Sequence, residues 1–157
     1  MLLFDLPGES CAFSLEEVQE LVLLPALIRP PGIPPAVEGF FDLGGHLITV
    51  VRLDRLFGLA AQELGLYTPL VVLRGMRQSF AVTVESVREI LPLTEETYLQ
   101  MGEHDSFNRC AIGKMDLDGR VIHILSAERI LSREEQQRLE ELRNMAQQRL
   151  RMLEPIS

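Results

Sequence analysis

The chain is short of cations. It carries 15 Lys and Arg against 23 acidic residues, a net charge of −8, and up to Leu131 the count is 10 basic against 18 acidic, so the body alone is also −8. A surface that neutralises phosphate cannot be built from this balance, which argues against nucleic acid and against an anionic membrane as partners. Aromatic residues stand at 6% with no Trp, so platforms for stacking single-stranded bases are missing too. No run approaches the roughly 18 apolar residues of a membrane span. The opening Met1-Leu2-Leu3-Phe4-Asp5 has no basic segment of the kind that begins a signal peptide. The expected setting is the cytoplasm, without direct membrane insertion.

The signatures of chemistry are missing as well. Cys11 and Cys110 sit in apolar, strand-like surroundings with no CxxC spacing and no His pair, and read as buried free thiols. His46, His104 and His123 fall in a turn, an acidic loop and a strand, with no HxxxH or HExxH arrangement, so no metal site is expected. Gly8-Glu9-Ser10 lacks the glycine that would complete a nucleophile elbow, and there is no P-loop and no GxGxxG. Glu16-Glu17 and Glu95-Glu96 are adjacent pairs, whereas carboxylates for acid/base work face each other across a substrate; they read as solvated turn charges. No catalytic residue and no cofactor are expected.

What the chain does have is a repetition. The segment from Cys11 to Val22 returns from Phe80 to Leu91, 69 positions on, with Val18 answered by Val87. Asp42 to Val51 returns from Asp116 to Leu125, now 74 positions on, with Gly45 answered by Gly119. Leu53-Asp54-Arg55-Leu56-Phe57 is then answered by Ala127-Glu128-Arg129-Ile130-Leu131. This period exceeds that of solenoids and propeller blades, so each copy is expected to be a small β unit, and two packed together make the protein.

Short apolar runs read as strands at Leu2 to Leu6, Cys11 to Leu15, Glu20 to Leu24, Val37 to Leu43, Leu47 to Arg52, Asn108 to Leu117 and Arg120 to Leu125. Gly44-Gly45 and Asp118-Gly119 are two-residue hairpin signals, because a type I′ turn needs positive φ at both central positions. Asp54 to Phe57 and Glu128 to Leu131 read as single helical turns after each hairpin. Arg29-Pro30-Pro31-Gly32-Ile33-Pro34-Pro35 can be neither helix nor central strand and reads as a stiff crossing connection. Pro92 to Phe107, acidic throughout, reads as a solvated loop. After a capping box at Ser132 and Glu135, the residues Leu139, Leu142, Ala146, Leu150 and Leu153 stack on one face of a long helix. That stripe needs a cover, either the protein's own flank or a second chain. Arg149 interrupts the heptad, so the helix is expected to fold back on its own body.

The order Val18-Gln19-Glu20, the proline stretch to Val37, Gly39-Phe40-Phe41-Asp42-Leu43-Gly44-Gly45 and Arg55-Leu56-Phe57-Gly58 resembles the CheW-like family of bacterial chemotaxis coupling proteins. The second copy matches with Asp118-Gly119-Arg120-Val121-Ile122 and Glu128-Arg129-Ile130-Leu131, so the resemblance covers the body from Leu3 to about Leu131. It implies an all-β fold of two pseudo-symmetric, five-stranded SH3-like barrels, expected over about 1–60 and about 66–131; the C-terminal amphipathic helix and tail read from the spacing follow over 132–157. It also implies a non-enzymatic adaptor that joins the cytoplasmic tips of chemoreceptors to the regulatory domain of a histidine kinase. The receptor side would correspond to Val18, Glu20, Gly39 and the turn at Gly44 and Gly45. The kinase is expected at an end of one barrel, because exposed barrel-end strands and apolar turns suit docking between like folds, with Val87, Ile90 and Leu117 of the second copy as contributors. Where the family commonly has Asn-Leu-Arg-Gly, this chain has Asp42-Leu43-Gly44-Gly45, and Arg52 stands where the family commonly has Asp. Arg52 is therefore a candidate surface substitute for the missing arginine. The rival readings are a small β-barrel that binds a ligand or catalyses a reaction, which would show a convergent polar pocket, and a CheW-like adaptor for a pathway other than chemotaxis.

Overall fold

A computed structural model describes residues 1–75, 78–92, 98–100, 107, 109–131 and 133–153. Glu95, Glu96, Glu103, His104, Asp105 and the cap Ser132 lie outside the described residues. Strands β1 (Leu2–Leu6) and β2 (Glu9–Phe13) form a hairpin over Pro7 and Gly8, and a 3-10 turn at Leu15–Glu17 leads into β3 (Val18–Leu23). Next come β4 (Val37–Leu43), β5 (His46–Arg52) and a helical turn α1 (Leu53–Leu56). The second copy supplies β6 (Pro69–Leu73), β7 (Phe80–Thr83), β8 (Ser86–Ile90), β9 (Tyr98–Gln100), β10 (Ala111–Leu117), β11 (Arg120–Leu125), α2 (Ala127–Ile130) and the long helix α3 (Arg133–Leu153).

The two hairpin tips are built alike. Gly44 and Gly45 have φ of 62° and 90°, and Asp118 and Gly119 have 51° and 80°, the positive pair that a type I′ turn requires. In each, an aspartate steadies the turn: the Gly45 amide donates to Asp42 Oδ1 at 2.8 Å and the Gly119 amide donates to Asp116 Oδ1 at 3.1 Å.

The strands form one sheet in the order β8-β1-β2-β11-β10-β9 and another in the order β3-β6-β7-β5-β4. The fold is all-β with a C-terminal helix, as expected, but neither strand order closes on itself among the described residues, so the expected barrels are open sheets there. The sixth strand, β9, lies within the stretch expected to be loop. The sheets also do not follow a division of the chain near residue 60. The β1–β2 hairpin sits between β8 and β11, and the β6–β7 hairpin sits between β3 and β5. Each copy lends its first hairpin to the other copy's sheet.

This exchange explains the first repeated segment. Cys11 to Val22 leaves β2 in one sheet and enters β3 in the other, and Phe80 to Leu91 makes the same crossing in reverse. The registers repeat with the sequence. Val18 pairs with Leu73 and Val87 with Phe4; Phe41 pairs with Ile48 and Met115 with Ile122. The parallel junctions match too, Thr49 with Phe80 and His123 with Cys11. Even the irregularities recur, between Val37 and Gly39 in one copy and between Ala111 and Gly113 in the other.

Alternation along the strands sorts side chains into three interiors. Leu2, Phe4, Leu6, Cys11 and Phe13 face the other sheet's Val51, Val71, Leu73, Phe80 and Val82 in a central core. Leu3, Ala12, Met115, Ile122 and Ile124 form a second cluster on the six-stranded sheet, and Phe41, Ile48, Val50, Leu70, Val72 and Ala81 form a third on the five-stranded sheet. Helix α3 folds back on this body. Leu139 enters the central core, and Ala146, with Leu142 and Leu150, covers Phe40 and Leu47 on one face of the β4–β5 hairpin. The equivalent face of the second copy carries Lys114 and a half-exposed Val121 and needs no such cover. Truncation after Leu131 is expected to expose Phe40 and Leu47 and to lower the melting temperature by on the order of 10 °C, with no loss of subunit mass beyond the deleted residues. Calorimetry with light scattering checks both, and an equally stable variant would show that the helix covers nothing.

Candidate docking surfaces

Two of the sequence-derived receptor residues come together. β3 presents Glu20 outward, the β4–β5 tip presents Gly44, and between them runs a groove of about 530 Å³ lined also by Gln19, Leu43, His46, Ile48 and Arg143 of α3. Leu43 and Ile48 are apolar floor; Gln19, Glu20, Gly44 and His46 are exposed rim. Gly45 lies at the exposed tip of the same turn, with open space around its Cα.

The other three lie elsewhere. Val18 packs against the central core, and its carbonyl accepts from Arg74 Nη1 at 2.7 Å. Gly39 is buried beneath its own chain: a Cβ there would sit 2.8 Å from the Ile28 carbonyl oxygen and 3.2 Å from carbons of Leu27 and Arg29. The glycine does permit a close backbone approach, but by the segment that bridges Ile28 to Phe40 and not by a partner. Gly39→Asp is consequently a folding lesion and reports nothing about binding.

Arg52 is the clearest correction. It is 6% exposed and cannot serve as a surface arginine. Its Nε donates to Asp54 Oδ1 at 3.1 Å, and its Nη2 donates to Asp54 Oδ2 and to the Gln62 carbonyl at 2.7 Å each. Glu38 Oε2 stands 3.6 Å from Nη1. The Gln62 amide donates back to Asp54 Oδ2 at 2.9 Å, and its side-chain nitrogen donates to the Val84 carbonyl at 2.9 Å. Burial alone would raise the Asp54 carboxyl, but these hydrogen bonds and the guanidinium charge hold it below the ordinary carboxylate range. The cluster ties the connection between the two copies to the end of β5. The signal in the sequence was an arginine ending a strand whose preceding five residues are all apolar or Thr, with an aspartate two positions on.

Glu17 also departs from a solvated role. It is half-buried, which raises its pKa, and it accepts from the Ala127 amide at the start of α2, so it fastens the first crossing to the end of the second hairpin. Phe107, at the end of the expected loop, stacks edge-on against Phe57 and His123 at centroid distances of 5.0 and 4.7 Å. Burial lowers the pKa of His123, with Glu9 opposing, and it pushes the Cys110 thiol up to about 11. Both cysteines are free and buried.

On the kinase side, Ile90 is 63% exposed on β8, an edge strand. Val87 packs partly into the central core and Leu117 into the smaller interior of the six-stranded sheet. A cleft of about 270 Å³ sets Leu117 beside Arg88 and Glu89 of β8. Among the described residues, no three His, Cys, Asp or Glu side chains are placed to hold a metal ion, and no helix is long and apolar enough to cross a membrane.

Residues 1–135 match the model of the CheW-like domain family. The chain belongs to that family. The chemotaxis protein CheW of Thermotoga maritima is 24% identical over 131 residues, covering 83% of this chain and 86% of that one. The crystal structure of the scaffolding protein TtCheW from Thermoanaerobacter tengcongensis matches the fold with a TM-score of 0.76 at 20% identity, over 83% of this chain and 90% of that one. In this CheW-like domain the family span ends at residue 135, so nearly all of α3, including Arg143, lies beyond it.

Proposed function

We propose that the chain is a non-enzymatic adaptor that couples the cytoplasmic tip of a chemoreceptor to the regulatory domain of a chemotaxis-type histidine kinase. Family membership supports the adaptor role. The observation that carries the receptor side is the groove between β3 and the β4–β5 tip, an open trough with an apolar floor at Leu43 and Ile48 and polar walls, the shape that an amphipathic helix occupies. Glu20 and Gly44 line that groove and Gly45 stands at the tip beside it, whereas Val18, Gly39 and Arg52 hold the body together outside it. On the kinase side, β8 is an edge strand among the described residues, with Ile90 exposed, and like folds dock through such edges and the turns beside them. Val87 and Leu117 act there as buttresses behind β8.

The two surfaces separate in one experiment. Glu20→Arg and His46→Trp should each weaken binding of a receptor-tip fragment by about tenfold and leave capture of the kinase regulatory domain unchanged. Ile90→Arg should do the reverse. If all three variants bind both partners as the parent does, neither surface is the docking site.

A further inference from the structure

We infer that α3 forms the partner-selecting wall of the receptor groove, and that Arg143 is a specificity-determining cation for a carboxylate on the docking helix; this rests on the reading of the groove given under Proposed function. Leu139 and Ala146 are buried, which fixes the rotation of α3 on the body. Arg143 lies four positions after the one and three before the other, so it flanks the buried stripe and lines the groove.

Its guanidinium is poorly satisfied. Nε is shielded from solvent and has no hydrogen-bond partner, and Nη2 reaches only the side chain of the next residue, Asn144 Oδ1, at 3.4 Å. Arg29, Arg52, Arg55 and Arg88, by contrast, each meet a carboxylate within 3.6 Å, whereas among the described residues none lies within ion-pair distance of Arg143. A shielded donor without a partner is a standing cost that an incoming acceptor removes, and an acceptor carrying charge removes most of it.

The groove lining also holds a carboxylate. Glu20 is exposed and, among the described residues, makes no ion pair, while its neighbour Gln19 is held by the Ser79 hydroxyl. The lining of the groove thus combines a guanidinium, a carboxylate and the apolar Leu43 and Ile48. The complementary occupant is an amphipathic helix that presents an acidic residue to Arg143, a basic one to Glu20 and an apolar row to the floor. A body of net charge −8 repels acidic segments in general, so a cation on this wall selects where an acid is accepted.

The test uses the full chain and a helical-hairpin fragment of a chemoreceptor tip from the same organism, with titration calorimetry at low and at physiological salt. Arg143→Glu should weaken binding about tenfold at low salt, and Arg143→Lys should stay within about threefold of the parent. Arg143→Glu should also flatten the salt dependence of binding while leaving the melting temperature within a few degrees of the parent. If Glu20→Arg weakens binding but Arg143→Glu does not, the groove stands and the role of α3 is overturned. If neither weakens it, the groove reading fails and takes this inference with it. If Arg143→Glu abolishes a concentration-dependent self-association and leaves receptor binding untouched, the occupant is a second copy and the inference is overturned.

Discussion

A fragment beginning at residue 66 is expected to be unfolded. It would retain β8, β10 and β11 but lose β1 and β2, which lie between β8 and β11 in the six-stranded sheet. With them go Leu2, Leu3, Phe4, Leu6 and Phe13, each no more than 2% exposed. At roughly 1.5–3 kcal/mol for each large apolar side chain, that is on the order of 10 kcal/mol. A domain of ordinary stability has about that much in total. The complementary fragment 1–65 is equally incomplete, because β6 and β7 separate β3 from β5. Circular dichroism of each fragment should show no cooperative melt, and mixing the two should restore one. A fragment 66–157 that folds alone would overturn the hairpin exchange. For the same reason a single copy cannot be used to ask which end of the molecule holds the kinase.

Removal of the Asp54 side chain is expected to be the most damaging single truncation. The residue is fully buried and Arg52 nearly so, and loss of one partner from a buried ion pair costs about 3–5 kcal/mol because the other charge is left uncompensated. Asp54→Ala should therefore lower the denaturation midpoint sharply. Arg52→Met combined with Asp54→Leu should recover much of the loss, since removing both charges removes the penalty. The pH dependence follows from the depressed Asp54 pKa. A carboxyl held below its unfolded value contributes stability that is fully present above about pH 4 and is lost as pH falls through the folded value. The gap between parent and Asp54→Ala in urea titrations should thus be full at pH 7 and narrow progressively below pH 4. A gap that stays constant between pH 7 and pH 2 would show that the pair contributes by packing alone.

The parts of this molecule that could be read from sequence are those decided over short distances. Asp118-Gly119 and Gly44-Gly45 specify their turns within two residues, and the spacing of Leu139, Leu142, Ala146 and Leu150 shows one face of α3 whatever it covers. The hairpin exchange is different in kind. The nearly unbroken apolar runs in Leu2 to Leu6 and Phe80 to Thr83 tell that both faces are buried, but they are silent about which sheet buries them, because strands pair through backbone groups that every residue carries. The site shows the same limit. Gly39 signals a close approach without saying whose backbone approaches, and Arg52 reads as a surface charge until Asp54, Gln62 and Glu38 are seen around it. Arg143 is one of five arginines in α3, and only the seating of the helix singles it out.

Because Phe4–Cys11 and Leu73–Phe80 share one register, and so do His123–Cys11 and Thr49–Phe80, a single half joined to another copy of itself would form the same ladders. The fold is a domain-swapped homodimer written as one polypeptide. Fusion frees the two halves from identity. One half carries the apolar face of Phe40 and Leu47 on which α3 rests, and the other leaves Lys114 exposed and Val121 half-exposed. Two identical halves would offer two equal sides, whereas this chain has a front and a back.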